Sequence, residues 1–221
     1  MSSLTDAVVT EQVDPRHWRV VLGRLHATFR TGSFVRGAEL VQRITAVAEE
    51  LGHHPDVVLR YPAVVVTTWS HDVGALTDRD VRLAHALTEV ADELGLEADT
   101  AAPQSTEIAI DALDIPAVVP FWRAILGYVD EALEAGDAPP ALVDPRGTGP
   151  SVWFQQMDEP RPQRNRIHLD VAVPHDEAER RVAAALAAGG RLVSDRRAPA
   201  FWVLADVEGN EACVCTWQAR D

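Results

Sequence analysis

Three of the eight histidines of this chain fall close together, at His53, His54 and His71. Histidine is the side chain best suited to proton transfer near neutral pH, so this grouping predicts acid–base chemistry. Two carboxylates are placed to support it. Glu49 lies one helical turn before His53, and Asp80 follows a glycine-containing turn after His71. The first half of the chain is therefore predicted to carry a histidine-based site.

The same residues allow simpler interpretations. Two adjacent histidines at a helix C-terminus can complement the helix dipole. Thr77-x-x-Asp80 is a variant of the capping box, so Asp80 can serve only to begin a helix. A metal site made by His53, His54 and His71 is disfavoured, because adjacent histidines rarely bind one ion together.

The elements that hold these residues are predicted from periodicity and capping signals. Ser33 begins a predicted helix with one apolar face, formed by Leu40, Ile44, Val47 and Leu51. Residues 57–61 and 63–70 are rich in β-branched side chains and predict strands. Thr77 begins a second predicted helix, which ends near Leu96. The histidine cluster therefore follows one helix end and one strand end, where rigid elements can support a site.

The segment before the cluster carries a helix signal and a strand signal. Asp14-Pro15 places an N-cap residue before a proline and predicts a short helix that ends near Gly23. Residues 25–30 then predict a strand. Together with the elements above, this order indicates an α+β fold in which helices cover one face of an N-terminal antiparallel sheet.

A proline and several small residues at 99–105 divide the chain into predicted domains of residues 1–101 and 105–221. The second domain repeats one order of elements. Helices are predicted over residues 116–126 and 175–188, and strands over 108–112, 151–156, 166–173, 201–206 and 211–217. Residues 136–150 are rich in proline and glycine and predict a loop. The recurrence, about 60 residues apart, indicates paired βαβββ repeats.

Composition limits the class of protein. The net charge is −14 and both halves are acidic, so the basic footprint of a nucleic-acid binder is absent. All 20 basic residues are arginine, which excludes Schiff-base lysine chemistry. No apolar run approaches the ~18 residues of a transmembrane helix, and no signal peptide is predicted. Cys213 and Cys215 are poor disulfide partners on one predicted strand, which indicates buried thiols in a reduced, cytoplasmic protein.

The motifs of the first half resemble those of pterin-4a-carbinolamine dehydratase. They are Glu49-Glu-Leu-Gly-His-His-Pro-Asp56, Tyr61, Val64-x-Val66, Ser70-His71-Asp72, Gly74 and Leu76-Thr77-x-x-Asp80, in this order. The similarity covers residues 18–91. It implies a hydro-lyase that converts 4a-hydroxytetrahydropterin, such as 4a-hydroxytetrahydrobiopterin, to quinonoid dihydropterin with no cofactor. It also implies a homo-oligomer.

The resemblance assigns roles by position. It implies catalytic roles for His53, His54, His71 and Asp80, and substrate binding by Glu49, Pro55, Ser70 and Asp72. We expect His53 and His71 to form the acid–base pair and His54 to orient the substrate. Thr68 stands where the family has an apolar residue, and Trp69 is bulky for its place. These two departures bear on the fit of the substrate.

The second half resembles a glyoxalase/bleomycin-resistance, or vicinal oxygen chelate, domain. The resemblance rests on the segments 107–114, Phe121-Trp122, Leu126-Gly127, 165–170 and 206–211. It implies an unknown small-molecule ligand. Where members bind a divalent ion such as Ni²⁺, Fe²⁺, Mn²⁺ or Zn²⁺, the matching positions are Glu107, one of Gln155 or Gln156, His168 and Glu211. Many members bind no metal, and His168 and Glu211 could serve only the fold.

Three functions follow from these patterns. The favoured one is a pterin dehydratase joined to a glyoxalase-like domain. The second is a non-enzymatic protein that binds pterin or another small ligand, or that serves dimerisation. The third places a metal-dependent lyase, isomerase or dioxygenase activity in the second half.

Overall fold

The computed structural model describes residues 2–131, 141–160, 168–173, 176–216 and 218–219. The chain divides into two compact units, Met1–Ser105 and Thr106–Asp221. Each unit is α+β. Within the described residues, no helix is long and apolar enough to cross a membrane.

The first unit is an antiparallel sheet with helices. Its elements are α1 (Asp6–Gln12), β1 (Arg19–Val21), β2 (Arg24–Arg30), α2 (Phe34–Leu51), β3 (Asp56–Arg60), β4 (Ala63–Thr68), α3 (Asp78–Glu93) and β5 (Glu97–Ala98). The strand order is β1-β2-β4-β3, and β5 pairs with β2. All these pairings are antiparallel, as the sequence predicts.

One face of the sheet forms the core of the first unit. Alternate residues of β2 and β4 are buried there, namely Leu25, Ala27, Phe29, Val64 and Val66. The helices α2 and α3 supply Leu40, Ile44, Leu83 and Leu87 to the same core. Thr68 comes next in the alternation of β4 and is fully buried, so a hydroxyl enters the layer in which the neighbouring positions are apolar.

Capping residues set both ends of α2. The Ser33 hydroxyl accepts a hydrogen bond from the backbone N–H of Arg36 at 3.2 Å. At the other end Gly52 is left-handed, with φ of 59°. The His53 N–H then bonds the carbonyl of Ala48, and the Gly52 N–H bonds that of Glu49. This Schellman motif fixes the direction in which the chain leaves the helix toward His53.

The predicted helix between Asp14-Pro15 and Gly23 is wrong. Asp14 closes a tight turn by accepting the backbone N–H of Arg16 at 2.8 Å. The next residues form β1, which pairs with β2. The helix of this region is α1, which lies earlier and is capped by Thr5. Strand pairing therefore overrides a local capping signal here.

The second unit contains one order of elements twice. The first repeat is β6 (Glu107–Ala112), α4 (Ile115–Leu126), β7 (Val129–Asp130), β8 (Ala141–Val143) and β9 (Ser151–Gln156). The second is β10 (Leu169–Ala172), α5 (Ala178–Ala187), β11 (Arg191–Arg197), β12 (Phe201–Ala205) and β13 (Glu211–Cys215). The sheet orders are β6-β9-β8-β7 and β10-β13-β12-β11, so each repeat is βαβββ as predicted.

Three strands of the second unit were not predicted. β8 lies inside the segment 136–150 that was predicted as a loop, and β7 has only two residues. β11 is largely exposed and rich in arginine, so its sequence lacks the alternation of a half-buried strand. The predicted ends of three elements, at 166–167, 175 and 217, lie outside the described residues.

Candidate functional site

A buried carboxylate, Asp80, lies at the centre of the site in the first unit. It stands in the first turn of α3, and its side chain is fully buried. It accepts hydrogen bonds from His53 Nε2 (2.8 Å), Thr68 Oγ1 (2.7 Å), Ser70 Oγ (2.8 Å) and the Thr77 backbone N–H (2.9 Å). The Thr77 contact completes a capping box, so Asp80 both begins α3 and collects polar groups from two other segments, the ends of α2 and β4.

The environment of Asp80 keeps it ionised. Burial raises the pKa of a carboxyl group, but the hydrogen bonds from His53, Thr68, Thr77 and Ser70 outweigh burial, and the pKa of Asp80 lies below its usual value. An ionised carboxylate only accepts hydrogen bonds. Each group that contacts Asp80 must therefore point a proton at it.

The hydrogen bonds around Asp80 determine whether Nε2 of His53 carries a proton. Thr68 has a single hydroxyl proton, and it is donated to Asp80 Oδ1. His53 Nε2 lies 2.8 Å from that carboxylate oxygen and 3.2 Å from Thr68 Oγ1. Both neighbours present lone pairs to Nε2, so Nε2 carries the proton. In the neutral imidazole, Nδ1 is then the nitrogen that can accept one.

Burial divides the three histidines. His53 is only 6% exposed, whereas His54 and His71 are exposed. His54 Nε2 lies 3.1 Å from the carboxylate of Glu49, whereas the helical spacing predicts that Glu49 supports His53; the chain leaves α2 at Gly52, and His53 contacts Asp80 instead. His71 follows Ser70, whose hydroxyl is bound to Asp80. Asp80 thus binds the residues directly before each of the two exposed imidazoles.

Aromatic and charged side chains surround His71. Its ring stacks on Trp69, with centroids 4.0 Å apart and an interplanar angle of 18°. The guanidinium carbon of Arg24 lies 4.0 Å from the centroid of the Trp69 ring. Asp72 forms an ion pair with Arg79, and the hydrogen bond from Arg79 lowers the pKa of Asp72.

The second unit contains a cavity of about 610 Å³ on one face of its second sheet. It is lined by His168, Asp170, Arg197, Ala200, Phe201, Val203, Glu211, Cys213, Cys215 and Ala219. The alternation of side chains along a strand explains which residues of β13 line the cavity. Ala212 and Val214 of β13 belong to the core of the unit, whereas Glu211, Cys213 and Cys215, which alternate with them, line the cavity.

Three residues of this cavity could hold a metal ion. One ligand atom from each of His168, Asp170 and Cys213 lies within 4.8 Å of the others. The register places Asp170 directly opposite Cys213 in the β10–β13 pair. Burial, followed by the charge of Asp170, raises the pKa of Cys213 to about 12. Cys213 is therefore a protonated thiol at neutral pH when no ion is bound.

Comparison with known proteins assigns the two units separately. Residues 2–90 match the family described as pterin 4 alpha carbinolamine dehydratase. A relative named for pterin-4-alpha-carbinolamine dehydratase in Chloroflexus aurantiacus is 35% identical over 91 residues, which are 41% of this chain and 98% of the relative. The chain belongs to the pterin-4a-carbinolamine dehydratase family. Residues 107–215 match a second family, described as a glyoxalase-like domain.

Solved structures resemble each half of this dehydratase-family chain. A transcriptional coactivator/pterin dehydratase from Brucella melitensis is 23% identical, covers 41% of this chain and 99% of its own, and has a TM-score of 0.38. A glyoxalase/bleomycin resistance protein/dioxygenase family enzyme from Burkholderia phytofirmans is 17% identical, covers 50% of this chain and 95% of its own, and has a TM-score of 0.42.

Direct contacts join some of the residues predicted for the dehydratase-like site and leave others apart. Asp80 directly contacts His53 and Ser70, and Glu49 contacts His54. Pro55 is half-buried next to His54 in sequence. Thr68 was noted only as a departure from the family pattern, yet its hydroxyl bonds Asp80. The signal was the alternation of β4, which directs residue 68 inward with Val64 and Val66.

Only some of the metal-ligand positions predicted for the second half lie in the cavity. His168 and Glu211 line the cavity, whereas Glu107, Gln155 and Gln156 are not among its lining residues. Glu107 accepts a hydrogen bond from Ser151, and the Gln156 amide is bound to backbone carbonyls. Sequence reasoning missed Asp170 and Cys213. Both could have been found by asking which residues share the His168 face across the parallel β10–β13 pair.

Proposed function

We propose that the first unit dehydrates 4a-hydroxytetrahydropterin to quinonoid dihydropterin. The observation that carries this proposal is the buried Asp80 carboxylate, which binds the residues preceding both His54 and His71. One ionised group thus sets the position of two exposed imidazoles. This arrangement suits a reaction in which protons are delivered and removed at two points of a small substrate.

The reaction needs two proton transfers and no electron transfer. The bond between the ring carbon and the 4a-hydroxyl breaks, and a proton joins the leaving oxygen to release water. A ring N–H proton is lost, and its electron pair forms the new C=N bond. Positioned imidazoles that donate and accept these protons would each contribute about 10²- to 10⁴-fold.

Exposure favours His54 and His71 as the groups that exchange protons with the substrate. The pair expected from the sequence was His53 and His71. His53 is nearly buried, and its Nε2 is bound to Asp80, so we assign it the role of positioning the segment that carries His54. Glu49, bound to His54, orients that ring. Pro55 and Asp72 remain our proposed contributors to the substrate-binding surface. Ser70, also expected there from the sequence, is fully buried and bound to Asp80, so we assign it the role of positioning the segment that carries His71.

The test is the dehydration rate of freshly generated 4a-hydroxytetrahydropterin. We expect His54→Ala and His71→Ala to lower the rate by about 10²-fold or more each. His85→Ala is the matched control, because His85 is an exposed histidine of α3 that bonds only the Gln12 carbonyl in the described hydrogen-bond network. A wild-type rate equal to that in buffer would overturn the proposal, and pterin binding without turnover would support the non-enzymatic alternative.

A second candidate function lies in the second unit, where we propose a divalent-metal site at His168, Asp170 and Cys213. The donors are an imidazole, a carboxylate and a thiolate within 4.8 Å of one another, which fits Zn²⁺ or Fe²⁺. Three protein ligands leave positions open for a substrate oxygen, which the ion would polarise. Arg197 and Phe201 line the same cavity and would contact the rest of that ligand.

Cobalt substitution tests this metal set against the set expected from the sequence. We expect added Co²⁺ to give a thiolate-to-metal charge-transfer band that is lost in Cys213→Ser and weakened in Asp170→Asn. Glu107→Gln separates the two sets, because Glu107 belongs only to the sequence-derived one. A band that disappears in Glu107→Gln, or no stoichiometric binding by the wild type, would overturn the proposed set.

Assembly follows the family resemblance. We propose a homo-oligomer on that basis, and a cytoplasmic location on the basis of the reduced thiols that the sequence indicates at Cys213 and Cys215. Light scattering on the purified full chain measures the assembly, and a monomer at micromolar concentration would contradict it.

A further inference from the structure

The indole of Trp69 is held from several directions. Trp69 comes directly after β4 and packs against the core of the first unit. Leu25 pairs with Thr68, which brings Arg24 of the adjacent strand beside Trp69. The Arg24 guanidinium carbon then lies 4.0 Å from the centroid of the indole ring, within the range of a cation–π contact. The core and Arg24 therefore hold the indole ring in place independently of its contact with His71.

His71 differs from His53 and His54 in the group that its ring contacts. His53 and His54 each have a carboxylate within hydrogen-bond distance of Nε2, at 2.8 and 3.1 Å. Among the side-chain hydrogen bonds of the described residues, none involves the ring of His71. Its contact is the stack on Trp69, with a centroid distance of 4.0 Å. An exposed side chain without such a contact would sample several rotamers.

Stacking suits an imidazole that must transfer a proton. The ring nitrogens of histidine lie in the plane of the ring, and a stacked neighbour occupies a face. The contact with Trp69 therefore fixes the plane of His71 while leaving both nitrogens available for a substrate. A hydrogen bond, such as the one His53 makes with Asp80, would engage one of those nitrogens.

We propose that Trp69, itself held by Arg24, is a positioning residue that sets the plane of the His71 imidazole for proton transfer. This inference rests on the dehydratase function proposed above. A pre-set ring loses less conformational entropy when the substrate binds, and its nitrogens start closer to the reactive geometry. Trp69 thus acts through His71 and does not itself transfer a proton.

Two measurements on the full chain test the proposal. The first is the proton NMR shift of the Cε1–H of His71, assigned by its disappearance in His71→Ala. We expect an upfield ring-current shift that is lost in Trp69→Leu and largely kept in Trp69→Phe. The second is steady-state dehydration, in which Trp69→Leu should lower kcat by about 10-fold and change KM by less than about twofold. Trp69→Phe should restore most of kcat.

A double variant separates positioning from a general loss of structure. In the His71→Ala background, Trp69→Leu should have no further effect on kcat, because the group that it positions is gone. An equal loss in both backgrounds would overturn the proposal, as would a Trp69→Leu enzyme with normal kcat or an unshifted His71 signal in the wild type. A wild-type enzyme with no dehydration above buffer would instead refute the proposed function itself. That result is obtained without any Trp69 variant, so the two failures can be told apart.

Discussion

At the scale of single residues, the site depends on the placement of protons. Asp80 is fully buried and ionised, and its donors leave one nitrogen of His53 protonated. The residue types of this site could be predicted from the sequence, because histidines and acids cluster in it. Their division into buried and exposed groups could not, since it depends on how the chain leaves α2 at Gly52 and how it turns after β4.

Thr68→Val should remove one hydrogen bond to the buried carboxylate while conserving volume. We expect the free energy of unfolding to fall by about 1 to 3 kcal/mol, because Asp80 Oδ1 loses the hydroxyl donor 2.7 Å away. Urea denaturation of the first unit measures the change. Thr68→Ser keeps the hydroxyl and should lie closer to the wild type than Thr68→Val does. A loss confined to Thr68→Ser, with Thr68→Val as stable as the wild type, would show that the methyl group, and not the hydrogen bond, is what matters.

The ionisation of Asp80 predicts a pH dependence of stability. Its pKa is lower in the folded protein than in the unfolded chain, where it is about 4, so ionisation stabilises the fold above that pH. This contribution is lost as the pH falls from about 4 toward the folded pKa. We expect the stability difference between the wild type and Asp80→Asn to shrink as the pH falls below 4. A difference that grows below pH 4 would contradict the assigned charge.

At the scale of elements, helix caps were the most predictable features. Ser33, Gly52 and Thr77 each stand at the helix end that the sequence predicts. Short or charged strands were missed, because β7 has two residues and β11 carries three arginines, and neither shows alternation. The false helix near Asp14 shows the opposite error, in which a good local signal loses to strand pairing.

Gly52→Ala tests how the end of α2 delivers His53 to the site. Gly52 has φ of 59°, a conformation that costs alanine about 1 kcal/mol although space for a methyl group is open. We expect a loss of about 1 kcal/mol in the free energy of unfolding and a weaker His53–Asp80 contact. Gly52→Asn should lose less, because asparagine tolerates this region better. Denaturant titration of the three proteins gives the comparison.

At the scale of the whole molecule, the chain carries two separate cores. The buried cluster of the first unit includes Trp18, Phe29 and Leu40, and that of the second includes Phe121, Phe154 and Val214. No residue belongs to both clusters among those described. The two-repeat order of the second unit could be predicted because its longer strands and both helices carry clear periodicity. The cavity ligands could not, since a parallel strand register brings Asp170 to Cys213.

Metal addition should therefore stabilise one unit and not the other. An ion that binds only the folded second unit raises its stability by about 2.7 kcal/mol at 100 times its Kd. We expect calorimetry of the full chain to show two unfolding transitions, with added Zn²⁺ raising the Tm of one. Cys213→Ser should abolish this rise, while Asp80→Asn should lower the Tm of the other transition alone. A single transition that metal moves as a whole would show that the two cores unfold as one cooperative unit, and the dehydratase site would then be energetically linked to the cavity.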